Sequence, residues 1–137
     1  MSDGRITDEE LIARALAVRV HAHAPYSRFH VGAALQADNG RVYVGVNVEN
    51  ASYPVGCCAE RTALGTAITD GAKSFDVIVV ATSAPVPVMP CGMCSQALNE
   101  FAPDARVIAV TVDGQRTDAT VRALLPHAYR GEGLERA

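Results

Sequence analysis

Two short stretches of this sequence hold residues suited to metal chemistry: Cys57-Cys58-Ala59-Glu60 and, in the second half, Pro90-Cys91-Gly92-Met93-Cys94. The chain has 4 cysteines, and all of them lie in these stretches. A Cys-x-x-Cys pair at the start of a helix puts both sulfurs on its first turn, where they chelate one ion. A third sulfur from another helix start closes most of a tetrahedron, a donor set that suits Zn²⁺. Three protein ligands, Cys58, Cys91 and Cys94, leave a position open for water, as in hydrolytic zinc sites. Helix N-termini add unpaired N–H groups and a positive dipole end, which favour thiolate over thiol. Glu60 follows Cys58 too closely to be a comfortable fourth ligand. It is well placed to take a proton from water and deliver it to a leaving nitrogen.

Simpler readings stand beside these. Cys57 adjoins Cys58, and adjacent side chains at a helix start diverge, so Cys57 is expected to be an ordinary reduced cysteine. The Cys91–Cys94 pair also matches a thioredoxin-type redox motif, which needs neither a third cysteine nor Glu60. His21 and His23 are two apart on a helix and cannot face one site. With His30 and His127, they are expected to be exposed or satisfied within the fold. Glu9, Glu10, Glu132 and Glu135 are expected to be solvated.

The elements that must position these groups follow from composition and pattern. The chain has 137 residues, 49 % hydrophobic and 20 % charged, which excludes a disordered chain and suits one domain spanning 1–137. Its 12 basic and 15 acidic residues give a net charge of −3, against the basic stripe that a phosphate-backbone reader needs. The long uncharged stretch 77–99 contains Pro85, Pro87 and Pro90 with several polar residues, so it does not read as a membrane span. Met1-Ser2-Asp3-Gly4 is no basic start to an apolar run, and a cytoplasmic location, where thiols stay reduced, is expected.

Thr7 and Glu10 form a capping-box pattern, with Ile6 and Leu11 placed as a hydrophobic staple, and the helix is expected to run until Pro25. Strands are expected over 29–37 and 41–49, joined by the turn Asp38-Asn39-Gly40. Helices follow over 58–69 and 91–101, strands over 77–82 and 107–112, then a short last strand and a helical turn over 121–125. Strands separated by helices imply a parallel portion, whereas the opening hairpin is antiparallel. The expected architecture is a three-layer α/β/α domain with a mixed five-stranded sheet.

Beyond the cysteines, several blocks stand in a familiar order: Pro25-Tyr26-Ser27-x-Phe29-x-Val31-Gly32-Ala33-Ala34-Leu35, Gly45-Val46-Asn47-Val48-Glu49-Asn50-Ala51-Ser52-Tyr53, Cys58-Ala59-Glu60-Arg61-Thr62-Ala63, Pro90-Cys91-Gly92-x-Cys94 and Leu124-Leu125-Pro126. In these the chain resembles the zinc-dependent cytidine deaminases of the small homotetrameric type, over nearly its whole length. The resemblance implies about one Zn²⁺ per chain on Cys58, Cys91 and Cys94. It implies hydrolytic deamination of cytidine and deoxycytidine to uridine and deoxyuridine plus ammonia, a step of pyrimidine salvage. Zinc-bound hydroxide would attack C4 while Glu60 shuttles protons. Asn47 and Glu49 would hold the ribose 3′-hydroxyl, Phe29 would pack on the pyrimidine ring and the Ala59 backbone would read its carbonyl edge. Tyr53 belongs to the same substrate-binding set. Arg61 would offset the net negative charge of three thiolates on one Zn²⁺.

The chain departs from the family at Ser95, where an Arg is usual, and at Tyr129, where many members carry a Phe that reaches a neighbouring active site. Competing functions are a blasticidin-S-type deaminase, which departs from the Asn47–Tyr53 block after its Asn-Val, and a non-enzymatic zinc-stabilised module, which needs no open site or Glu60. The partner expected is a neutral pyrimidine nucleoside; nucleic acid and membrane are not expected partners.

Overall fold

The computed structural model describes residues 5–131, so Met1–Gly4, Glu132 and Glu135 lie outside it. Helix α1 spans Asp8–Val18 and begins at the expected capping box. The Thr7 hydroxyl accepts from the Glu10 N–H at 3.1 Å, and the Thr7 N–H donates to the Glu10 carboxylate at 2.8 Å. Ile6 and Leu11 pack into one apolar cluster. The helix stops earlier than expected: a 3₁₀ turn covers Arg19–His21, and the chain is extended before Pro25. The cause is tertiary. The His23 N–H donates to Asn47 O at 3.0 Å and His23 O accepts from the Glu49 N–H at 2.8 Å, so its backbone groups are committed to a neighbouring chain rather than to a helix.

Strands β1 (Gly32–Ala37) and β2 (Val42–Val46) form the expected hairpin, with Gly40 at φ 83° in its turn. Both are shorter than their apolar patterns suggest. Residues 29–31 precede β1 because the Asn47 side chain takes their backbone groups, as described below. Beyond β2, Val48 makes isolated bridges to His23 and Cys57. The chain continues through α2 (Ala59–Thr69), β3 (Phe75–Thr82), α3 (Gly92–Phe101), β4 (Arg106–Thr111), β5 (Arg116–Thr120) and the single turn α4 (Val121–Leu124).

The sheet order is β2-β1-β3-β4-β5. Only β3 and β4 pair in parallel, joined by the α3 crossover; the other neighbours are antiparallel. Alternation sorts the side chains into two apolar layers. Ala33, Leu35, Ile78, Val80 and Val107 face one cluster with Ala63 and Leu64 of α2 and Leu98 of α3. Ala34, Val77, Val79, Ile108 and Val110 face the other, with Leu11 and Ala15 of α1. The result is the mixed five-stranded sheet between helical layers expected from the sequence. At the rim, Asp8 ties α1 to β4 and β5 through Arg106 (2.9 Å) and Arg116 (3.2 Å). Among the described residues no helix is long and apolar enough to cross a membrane.

Candidate active site

The cysteines sit at the entrances of α2 and α3, with Cys58 and Cys91 each one residue ahead of the helix proper and Cys94 on the first turn of α3. Cys58 is the N-cap of α2 and Cys91 the N-cap of α3, where the Cys91 sulfur accepts from the Cys94 N–H at 3.5 Å. Helix α2 lies directly on β2 because of Gly45: a Cβ there would fall 2.4 Å from Ala63 N and 2.7 Å from Ala59 O. The starts of α2 and α3 meet at this corner. The Sγ atoms of Cys58, Cys91 and Cys94 lie within 4.8 Å of one another, and among the described residues no other ligand-type side chain joins them.

The electrostatics of this corner favour bound charge. The Cys94 thiol, with the Arg61 guanidinium and the Cys91 thiol, holds the Cys58 thiol down to about 5 against the opposing effect of burial. Arg61 Nη2 donates to Cys58 Sγ at 3.9 Å. Cys94, which shares its proton with Cys58 and is buried, is pushed up. The guanidinium is held more firmly charged by Cys94 first and then by Cys58. Three convergent sulfurs on two helix N-termini, compensated by one cation, fit a soft tetrahedral metal such as Zn²⁺ with one position left over.

Glu60 lies on the first turn of α2, only 5 % exposed. Burial, with the nearby Cys58 charge adding to it, pushes its carboxyl up to about 7, against the effect of its own N–H and of Arg61. A carboxyl that gains and loses a proton near neutrality is what general acid–base work requires.

A cleft of about 620 Å³ opens beside the sulfurs. Cys58, Cys91 and Arg61 line it together with Asn47, Glu49 and Tyr53. Asn47 and Glu49 hold the loop before β1. Asn47 Nδ2 donates to Phe29 O at 2.7 Å and its Oδ1 accepts from the Val31 N–H at 2.9 Å, doing with a side chain what a strand would do with its backbone. Glu49 Oε1 accepts from the N–H groups of Tyr26 (3.0 Å) and Ser27 (3.1 Å), and Oε2 accepts from the Ser27 hydroxyl. The Ser27 hydroxyl, with these N–H groups assisting, keeps the Glu49 carboxyl below its ordinary value.

Of the residues singled out from the sequence, Cys58, Cys91, Arg61, Asn47, Glu49 and Tyr53 line this cleft. Cys94, Glu60 and Ala59 are buried. Phe29 is not in the cleft wall, although its peptide is held at both ends by groups that touch it. Cys57 does line the cleft, but its sulfur accepts from the Thr62 hydroxyl at 3.6 Å and stands outside the three-sulfur cluster. Ser95 is buried, its hydroxyl 3.5 Å from Pro90 O, where a long cationic side chain would have to leave the core. The Gln96 amide grips the Tyr129 backbone, donating to its carbonyl at 2.9 Å and accepting from its N–H at 3.2 Å, and leaves the ring exposed.

The structure adds Tyr26, Ser27 and Met93 to the cleft wall. The Tyr26 and Tyr53 rings meet at 5.8 Å, tilted by 56°. The motif containing Tyr26 and Ser27 was visible in the sequence, but nothing local says that its backbone folds over Glu49.

Comparison with known proteins agrees with this geometry. Residues 5–111 match the family described as "Cytidine and deoxycytidylate deaminase zinc-binding region". A cytidine deaminase of Sporosarcina psychrophila is 42 % identical over 130 residues, covering 94 % of this chain and 96 % of that protein. A blasticidin-S deaminase of Bacillus cereus is 35 % identical over 112 residues, covering 75 % of this chain and 79 % of that protein. The crystal structure of a cytidine deaminase from Burkholderia pseudomallei superposes with a TM-score of 0.88 at 42 % identity, over 90 % of this chain and 100 % of that one. The chain is an enzyme of the cytidine and deoxycytidylate deaminase family.

Proposed function

We propose that this enzyme hydrolyses the exocyclic amino group of cytidine and deoxycytidine, giving uridine or deoxyuridine and ammonia, as a step of pyrimidine salvage in the cytoplasm. The observation that carries this reading is the meeting of three cysteine sulfurs and a buried Glu60 at one end of a cleft whose other wall presents Asn47 and Glu49. Cys58, Cys91 and Cys94 would hold about one Zn²⁺ per chain, which supplies Lewis-acid activation of water near neutral pH. Glu60 accepts one proton of the attacking water and passes it to ring N3 as C4 becomes tetrahedral; it then takes the second proton from the new C4 hydroxyl and delivers it to the departing amino group as the C4–N bond breaks. Burial keeps Glu60 close to both charge states, so the same carboxyl serves as base and then acid. Arg61 offsets the charge of the thiolates.

Asn47 and Glu49 hold the 3′-hydroxyl of the sugar, Tyr53 closes on the nucleoside, Phe29 packs on the pyrimidine and the Ala59 backbone meets its carbonyl edge. The exposure of Tyr53 (74 %) and Met93 (65 %) at the cleft supports a pocket completed by neighbouring copies in a homotetramer, each subunit one domain over 1–137. The likeness to the Bacillus cereus protein favours a second reading, deamination of blasticidin S. Ammonia release by the zinc-loaded protein from cytidine, deoxycytidine, blasticidin S and single-stranded DNA separates these. The nucleosides are expected to react and the other two not. Turnover of blasticidin S alone would establish the second reading, and turnover of none would leave a zinc-stabilised module.

A further inference from the structure

The hydroxyl of Ser27 occupies a position that the reaction scheme above does not use. It donates to Glu49 Oε2 and accepts from the Phe29 N–H at 3.0 Å, so one small group joins the carboxylate to the peptide of Phe29. Arg28, between them, has φ 60°, the left-handed region that a non-glycine residue adopts only when its surroundings hold it there. The turn is therefore held in place by its hydrogen bonds rather than by local preference.

Counting acceptor positions shows what this bridge does. A carboxylate offers about four acceptor sites. Among the described residues, the Tyr26 N–H and the Ser27 N–H occupy Glu49 Oε1, and the Ser27 hydroxyl occupies one side of Oε2. One acceptor position on Oε2 remains. The Asn47 amide is treated alike: Phe29 O takes one of its N–H groups and the Val31 N–H takes one side of its oxygen, leaving one N–H and the other side of the oxygen. The remaining Glu49 acceptor and the remaining Asn47 N–H, both in the cleft lining, match one hydroxyl group, which donates and accepts at once.

We propose that Ser27 is a positioning residue for nucleoside recognition: its hydroxyl locks the Glu49 carboxylate so that a single acceptor is left for the sugar hydroxyl. The inference rests on the reading of Glu49 as a sugar-hydroxyl contact. Without the Ser27 hydroxyl, Glu49 Oε2 rotates or binds water, and the discrimination for a hydroxylated sugar is lost while the chemistry at the cysteine corner continues. Ser27 is exposed, so its truncation leaves no cavity.

Steady-state kinetics of the zinc-loaded full chain test this, with cytidine and 3′-deoxycytidine as paired substrates. The unsubstituted enzyme is expected to show a higher KM for 3′-deoxycytidine. Ser27→Ala is expected to raise KM for cytidine about tenfold, the low end for a hydrogen bond to a charged group, and to leave KM for the 3′-deoxy substrate and kcat within about twofold. Ser27→Thr, which keeps the hydroxyl, restores discrimination. Ser27→Cys, of similar size but a weak donor, follows the Ala variant and serves in its place if that variant is poorly folded by circular dichroism. A variant in which both KM values rise together, or in which cytidine KM does not change, overturns the role of Ser27 alone. Equal KM values for the two substrates in the unsubstituted enzyme overturn the sugar reading of Glu49, and this inference with it.

Discussion

The two walls of the cleft are built in opposite ways. The cysteine wall stands on the N-termini of two helices packed into the core, with Ala59 and Cys94 fully buried. The other side draws on Tyr26 and Ser27, which begin a loop over residues 26–31 that belongs to no helix or strand and is held by side chains of Asn47 and Glu49 reaching to its backbone. The first arrangement concentrates charge: sulfurs, a guanidinium and a carboxyl raised by burial share a few ångströms. The second arrangement uses up hydrogen-bonding capacity until only a few groups remain to meet a ligand. Rigid elements carry the groups that must bear charge changes, and an adaptable loop carries those that only recognise.

If that division is sound, substitutions on the two walls differ in kind. The largest effect is expected from Cys91→Ala, which removes one of three convergent sulfurs: zinc stoichiometry by atomic absorption falls well below that of the parent and activity is lost. Cys57→Ala, outside the cluster, retains the metal. Loss of zinc in Cys57→Ala would reassign the ligands. Next is Glu60→Ala, expected to lower kcat by about 10²–10⁴-fold with zinc content retained, because the proton carrier is gone and the ligands are not. Near-normal kcat in that variant removes Glu60 from the mechanism.

On the other wall, Asn47→Ala leaves Phe29 O and the Val31 N–H without their partner, at a cost of about 1–3 kcal/mol in stability. Its kinetic signature is a rise in KM with kcat changed far less. A kcat loss comparable to that of Glu60→Ala would erase the distinction between the walls.

The smallest effect lies far from both. Asp8→Asn weakens the link from α1 to Arg106 and Arg116, expected to cost about 0.5–1 kcal/mol at neutral pH for a partly exposed network. Arg106, and then Arg116, hold the Asp8 carboxyl below its ordinary value of 3.8, so the folded state binds its proton less readily than the unfolded chain does. The stabilisation is thus complete above 3.8 and disappears as the pH falls through the lower folded value. Denaturation of the parent and of Asp8→Asn should converge in acid. A constant difference at all pH values would show that the pairing contributes nothing.

Much of the fold was visible in local pattern. The capping box at Thr7 and Glu10, the turn at Gly40 and the continuous apolar runs of β3 and β4 are short-range signals, and they correspond to the observed elements. The misjudged boundaries have one cause. Helix α1 ends before Pro25, β1 starts at Gly32 and β2 stops at Val46 because His23, Phe29, Val31, Asn47 and Glu49 give their hydrogen-bonding groups to one another across the chain. Propensity scales do not register such long-range exchanges. For the same reason Ser27 and Tyr26 went unassigned to the cleft: their significance comes from Glu49, distant in sequence.

Residue type and spacing were enough to point to the kind of chemistry. A Cys-x-x-Cys pair, a further Cys and a nearby Glu together suit few other tasks, because thiolate softness and carboxyl acidity are properties of the side chains themselves. Packing was needed for everything that depends on distance and dielectric. The meeting of the α2 and α3 N-termini brings the three sulfurs together, and burial raises the Glu60 carboxyl to about 7. The folding of residues 26–31 over Asn47 and Glu49 sets which polar groups stay free to meet a ligand. Solvent exclusion and hydrogen-bond saturation arise only when distant parts of the chain meet, so no local reading of the sequence supplies them.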